Sequence, residues 1–159
     1  MANQKILVKN MTNATVTLII ENANFKRTFK GEGAKTYIPF DILYEGLSDS
    51  GIEKMFTKGY LKVVEKQDRI DLGLEFEDKV ESLENTMDSN EMLEIIKEGN
   101  AIKIKETLEA LAPIQQKKFA QVAVDNEIYT AGLAKFIKDY TGIDLLKSIQ
   151  DRKIDLEDN

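Results

Sequence analysis

Residues 1–66 carry their apolar side chains in short runs with an alternating period, whereas residues 91–153 carry them at helical spacing. In residues 15–21, Val16, Leu18 and Ile20 share one face of an extended chain and Thr15 and Thr17 share the other, the period-two signature of a half-buried strand. Residues 5–10 form a similar run, joined to it by Met11-Thr12-Asn13-Ala14. Residues 25–30 put Phe25 and Phe29 on one side and basic residues on the other. Gly31-Glu32-Gly33 then predicts a turn at positive φ, from which residues 35–38 return as a partner strand that Pro39 ends. Two short helical pieces follow at 41–44 and 51–56, the second with Ser50 in a capping position and Gly59 as its stop. Residues 60–64 read as a last strand. Such a run of elements predicts a small antiparallel β-barrel or sandwich module over 1–66, close to the lower size limit for independent stability.

Beyond residue 90 the period becomes that of amphipathic helices. Met92, Ile95 and Ile96 are followed by the stop signal Gly99-Asn100, and Ile104, Leu108 and Leu111 recur at i, i+4 and i+7 before Pro113. Pro113 suits the first turn of the next helix, through Phe119, Val122 and Ala123. Leu133, Phe136, Ile137 and Tyr140 mark another helix, closed by Gly142, and Asp144 can cap a final one carrying Leu145, Leu146 and Ile149. Helices this short must pack on one another, so residues 91–153 predict an all-α bundle of four to five short helices, with 154–159 as a frayed acidic tail. The fold class expected is therefore α+β.

Charge sharpens the boundary between the two halves. Residues 1–66 hold 10 Lys/Arg and 7 Asp/Glu, a net of +3, whereas residues 67–159 hold 12 and 21, a net of −9. Residues 67–98 alone carry 11 acids against 3 bases. This break predicts an acidic connector over 67–90, either a solvated linker or an arm that docks on a partner. Within it, Asp71-Leu72-Gly73-Leu74-Glu75-Phe76-Glu77 alternates strictly between apolar and acidic or small residues. Leu72, Leu74 and Phe76 are the candidate partner-binding residues: as a strand they would add to the edge of a neighbour's sheet, or finish the sheet of their own module.

The 159 residues include no histidine, cysteine or tryptophan. Thiol nucleophiles, Cys/His zinc sites, disulfides and the usual triad base are thereby excluded. Gly31-Glu32-Gly33-Ala34-Lys35-Thr36 lacks the glycine that a phosphate-binding loop needs directly before its lysine, and Lys35 opens a strand where that loop would open a helix. Asp68, Asp71, Glu75, Glu77 and Asp78 lack the spaced oxygens and central glycine of a calcium loop. Lys26, Arg27, Lys30 and Lys35 with Phe25, Phe29 and Tyr37 are the ingredients of a single-stranded nucleic-acid platform, but Phe25 and Phe29 face away from Lys26 and Lys30 and belong to a core. No catalytic, cofactor-binding or metal-binding residue is assigned, and neither an enzyme nor a cofactor nor a nucleic-acid partner is expected. No run approaches the roughly 18 apolar residues of a membrane span, and the N-terminus lacks the apolar core of a secretory signal, so synthesis in the cytoplasm without a membrane partner is the expectation.

Three strings carry a resemblance: Lys5-Ile6-Leu7-Val8-Lys9-Asn10-Met11-Thr12, the turn Phe29-Lys30-Gly31-Glu32-Gly33, and Gly59-Tyr60-Leu61-Lys62-Val63. With Leu108-Glu109-Ala110-Leu111-Ala112-Pro113 and Tyr140-Thr141-Gly142-Ile143-Asp144-Leu145-Leu146, they make the chain similar to small uncharacterised proteins of tailed bacteriophages. The resemblance rests on turn residues and apolar spacing and transfers no functional residue. It implies a virion structural protein, such as a capsid auxiliary, decoration or connector component. Its partners would be capsid or neck subunits, with self-association open, and it would reside in the virion after synthesis in the host cytoplasm. The alternative is a soluble phage effector that binds and inhibits a host protein, its acidic surface imitating nucleic acid.

Overall fold

The structure is a computed structural model that describes residues 4–76 and 85–157. The chain is α+β and divides into two units, Met1–Leu83 and Glu84–Asn159.

The first unit runs β1 (Lys5–Asn10), β2 (Val16–Ile20), β3 (Phe25–Phe29), β4 (Lys35–Pro39), α1 (Phe40–Gly46), α2 (Ser50–Thr57), β5 (Leu61–Val63) and α3 (Lys66–Asp71), with a 3-10 turn at Glu21–Ala23. Two antiparallel sheets form, one ordered β4-β1-β5 and one pairing β2 with β3. They do not close into a barrel among the described residues. Alternation in the strands puts Ile6 and Val8, Leu18 and Ile20, Phe25 and Phe29, Ile38, and Leu61 and Val63 into one core, to which α1 adds Leu43 and α2 adds Ile52.

The glycine turn does not fold the third strand back onto the fourth. β4 lies instead against β1, with Ile6 opposite Ile38 and Leu7 opposite Tyr37. Gly31 (φ 83°) and Gly33 (φ 81°) carry the chain from one sheet to the other, and the end of β1 holds them there: the Gly33 N–H donates to the Asn10 carbonyl and the Asn10 N–H to the Ala34 carbonyl, both at 2.9 Å. The Asn10 side chain is fully buried and uses both its ends. Its Nδ2 donates to the carbonyls of Ala14 (2.7 Å), Gly31 (2.9 Å) and Phe29 (3.4 Å), and its Oδ1 accepts from the Thr12 N–H (2.9 Å) and hydroxyl (2.8 Å). One amide thus ties the first strand to both ends of the β2-β3 hairpin.

The second unit contains α4 (Ser89–Glu98), α5 (Ala101–Ala110), α6 (Pro113–Asp125), α7 (Ala131–Thr141) and α8 (Leu145–Glu157). Helix α6 packs on α4, α7 and α8, with Phe119, Ala120 and Ala123 fully buried among Met92, Leu108, Ile137 and Leu145. Caps delimit the helices. Asn100 Oδ1 accepts from the Ile102 and Lys103 N–H groups, Thr130 Oγ1 from Leu133, and Asp144 Oδ1 from Lys147, while Gly99 and Gly142 end their helices in the left-handed region.

Three boundaries differ from the sequence reading. The first unit does not end at residue 66, because α3 packs against β5 and Leu72 enters its core. The bundle starts before residue 91. A lead-in segment is sewn to α6 by the Ala112 N–H donating to the Asn85 carbonyl (2.9 Å), the Met87 N–H to Gln115 Oε1 (3.3 Å), and the buried Lys118 ammonium to the Met87 carbonyl (2.6 Å). Residues 77–84 of the expected connector lie outside the described residues. Finally, 154–157 are helical and not a frayed end: α8 is braced by Lys147 with Asp151 (3.2 Å) and by Arg152 reaching Asp125 (3.5 Å) and Glu127 (3.7 Å). Residues 158 and 159 lie outside the described residues. At α2 the cap is Asp49, whose carboxylate accepts from the Gly51 (2.8 Å) and Ile52 (3.4 Å) N–H groups, and not Ser50.

Replacing Asn10 with Ala strands several buried backbone groups at once, and the first unit should lose about 2 to 4 kcal/mol in urea denaturation. Hydrogen exchange should accelerate in residues 5–39 and remain unchanged in α4 to α8.

Candidate functional site

The segment expected to form an arm is not a strand. Helix α3 ends in a Schellman motif: Gly73 adopts φ 76°, its N–H donates to the Ile70 carbonyl (3.0 Å), and the Leu74 N–H donates to the Arg69 carbonyl (2.8 Å). Strict alternation therefore reflects a helix stop, with Leu74 as the apolar residue that follows the glycine. Leu72 is 6% exposed and part of the core, Leu74 packs half-buried against the same core, and Phe76 is 75% exposed. The three candidate residues do not share a face, and only Phe76 projects outward. The end of α3 is further fixed by Arg69, which donates to the carbonyls of Val63 (2.8 Å) and Val64 (2.9 Å) and pairs with Glu75 at 2.8 Å, both side chains about one-fifth exposed at 19% and 20%. One residue before Arg69, Asp68 accepts a hydrogen bond from Gln4 Nε2. Its carboxyl is held above its ordinary range, chiefly by burial and then by the charges of Asp71 and Glu65, with the Gln4 bond acting the other way.

On β3 the expected division of aromatic from basic residues holds for Lys26 but not for Arg27, which period-two alternation puts on the phenylalanine face. Phe25 and Phe29 are buried, Lys26 and Thr28 exposed, and the Arg27 guanidinium sits 4.4 Å from the centre of the Phe25 ring. No platform of stacked aromatics and lysines forms there.

A surface of a different composition lies on the outer face of the three-stranded sheet. Since Ile6, Val8, Ile38 and Val63 point inward, Leu7, Lys9, Lys35, Tyr37 and Lys62 point outward. The register sets Lys9 opposite both Lys35 and Lys62, giving one cross-strand row of three lysines, and sets Leu7 opposite Tyr37, which is 59% exposed. Like charges in directly opposed positions repel, so the row raises the energy of the sheet unless negative charge lies near it. Lys9 and Lys62 have further interactions within the chain. Sequence reasoning missed this surface because its lysines belong to three strands far apart in the chain; the Lys5-x-Leu7-x-Lys9 and Lys35-x-Tyr37 alternations were its only local signal.

In the second unit the exposed face of α4 is acidic. Glu91, Glu94 and Glu98 recur at i, i+3 and i+7, opposite the buried Met92 and Ile96, and Glu98 also meets Lys103 at 3.4 Å. The Tyr140 hydroxyl donates to Glu109 at 2.7 Å, which, followed by burial and the charges of Glu109 and Asp139, pushes its pKa up to about 12. Among the described residues no three acids are grouped so as to hold a metal ion, and no helix is long and apolar enough to cross a membrane. Gly31 to Lys35 form the crossing turn into β4, without a helix to receive a phosphate.

Compared with protein-family models, with curated proteins and with solved structures, the chain matches none.

The arm residues should separate by single substitution. Leu72→Ser should destabilise the first unit by about 3 kcal/mol or more, through a cavity and a buried hydroxyl, while Phe76→Ser should stay within about 0.5 kcal/mol of the parent in the same urea titration. Asp68→Asn keeps an oxygen for Gln4 and removes a charge that the fold disfavours. A raised carboxyl pKa lowers native stability as pH rises through it, so the variant should melt higher than the parent at pH 7. That gain should shrink toward zero once pH falls below the ordinary carboxylate value of 3.8, where both states of the parent are protonated. Melting curves at pH 3 and pH 7 check the sign.

Proposed function

We propose that the chain is a structural subunit of a tailed-bacteriophage particle, a capsid auxiliary, decoration or connector protein that works through repeated protein–protein contacts and has no enzymatic role. The reading rests on the resemblance in the turn strings, and one feature of the molecule supports it: large apolar side chains are exposed on regular, hydrogen-bonded elements in both units. Ile19 lies on β2, Tyr37 on β4 and Tyr44 on α1; Ile102 lies on α5 and Leu146, Ile154 and Leu156 on α8. Rigid elements that present apolar side chains offer contact area at little cost in ordering, which suits a subunit touching several neighbours. The two sheets that share one core support describing the first unit as a small sandwich. Other virion proteins, capsid or neck subunits, are the partners under this reading.

Gradient-purified particles of the encoding phage should contain the chain in a fixed ratio to the major capsid protein by quantitative mass spectrometry. Absence from particles, with recovery on a host protein in pull-downs from infected cells, would replace this reading with that of a soluble effector.

A further inference from the structure

We propose that the free edge of β2 pairs with β2 of a second copy of this chain, antiparallel, so that two β2-β3 hairpins become one four-stranded sheet. The inference rests on the reading of the chain as an assembling subunit and names one of its contacts. The described residues of the first unit present four strand edges, and three of them carry devices that keep foreign strands away. At β5 the Arg69 guanidinium holds the Val63 and Val64 carbonyls. β4 carries Lys35 and ends in Pro39, which has no N–H to offer. β3 carries Lys26 and Arg27, and the Arg27 guanidinium donates to the Lys26 carbonyl at 3.0 Å. β2 has none of these. Its residues, Val16-Thr17-Leu18-Ile19-Ile20, include no charge, proline or glycine, and all but Leu18 are β-branched. In an antiparallel ladder alternate residues direct both N–H and C=O away from the partner strand. Among the described residues, no hydrogen bond outside the β3 ladder reaches the backbone of residues 16–20.

The occupant this edge selects is the same strand. A basic or acidic segment finds no charge on β2 to recognise, whereas an uncharged strand opposes itself without repulsion. Turned antiparallel about Leu18, the pair sets Thr17 against Ile19 of the second copy and Val16 against Ile20 of the second copy. Ile19, 50% exposed, and the exposed Thr17 lie on the outward face, where the β3 register puts Lys26 beside Ile19 and Thr28 beside Thr17. Each outward row of the joined sheet then reads Lys26, Ile19, Thr17 and Thr28, the last two from the second copy, and no like charges are opposed in it. The same edge serves both copies, so the contact closes as a two-fold dimer. A ladder of five residues is about 17 Å long, a small contact, so the dimer should form on the order of micromolar concentration and gain strength where a particle holds copies close together.

The experiment uses the full chain in sedimentation velocity across protein concentration, and the parent should associate as concentration rises. Two double variants, Thr17→Lys with Ile19→Lys and Thr17→Glu with Ile19→Glu, each set like charges in opposed positions of the pair and should each weaken association about tenfold or more. Mixing the two should restore it, because the lysines of one then oppose the glutamates of the other. Circular dichroism of each variant confirms folding separately. The chain has no cysteine, which gives a second readout that needs no charge. Under mild oxidation, Thr17→Cys mixed with Ile19→Cys should yield a disulfide-linked dimer and neither alone should, because only positions 17 and 19 lie opposite each other within bridging distance. If a double variant fails to fold, the cysteine pair decides. A parent that stays monomeric at all concentrations overturns the inference, as does association that both double variants retain, or a mixture of the cysteine variants that does not crosslink. A monomeric parent whose double variants are lost from particles would overturn it in favour of a strand supplied by another virion protein. A chain found stoichiometrically in particles that does not self-associate removes this inference and leaves the proposed function standing. A chain that self-associates by this pattern but is missing from particles does the reverse.

Discussion

The first unit depends on a single buried amide. A sheet of three strands and a hairpin of two have no backbone pairing with each other, so something other than a ladder must fix their relation. Asn10 does so because an amide is both a double donor and an acceptor, and it spends its donors on the carbonyls of Ala14, Phe29 and Gly31 and its oxygen on Thr12. Apolar contact alone would let the two sheets slide. Directional bonds to named carbonyls define one register between them, and the shared core is then free to be built of interchangeable aliphatic shapes such as Ile6, Leu18 and Ile38.

The second unit reaches the same end differently. Its fixed point is a helix, α6, whose buried small and aromatic residues let three other helices approach it. The polar groups buried along it are also used: Gln115 and Lys118 bind the backbone of Met87, so the chain is held where it enters the bundle. No described buried side-chain polar atom is left without a partner. Ordered polar contacts thus sit at the seams in both units, and apolar packing fills what they enclose.

What could be read in the sequence follows the range of the interactions involved. The five helices of the second unit were legible because their signals are local: Asn100, Pro113, Gly142 and Asp144 act on backbone groups within a turn of themselves. The strands of the first unit were legible as strands, since alternation survives whatever the partner. Their pairing was not, because β1 takes β4 from across 24 residues of intervening chain, and the nearest hairpin logic pointed to β3. Two glycines at positive φ, Gly59 and Gly73, make the sharpest comparison. Gly59 follows an evidently helical stretch and was read correctly; Gly73 follows a helix of six residues hidden among charges, and a chance alternation of leucines and acids outweighed it. The lysine row was the least legible feature, since no window of sequence contains residues 9, 35 and 62 together.

Arg69 bears on how this molecule can be approached by others. In the antiparallel ladder the Val64 N–H binds the Leu7 carbonyl, so the adjoining Val63 carbonyl is directed away from β1, toward the open side of the sheet. Open sides of sheets are where stray strands attach and where aggregation begins. The Arg69 guanidinium occupies that carbonyl and its neighbour, and Glu75 holds the guanidinium in place. A helix end thereby serves as a stopper on the sheet, and the short β5 can be solvent-adjacent without becoming a template. At this edge, whatever joins the unit must do so across its faces, with side chains, and not by adding a strand to β5.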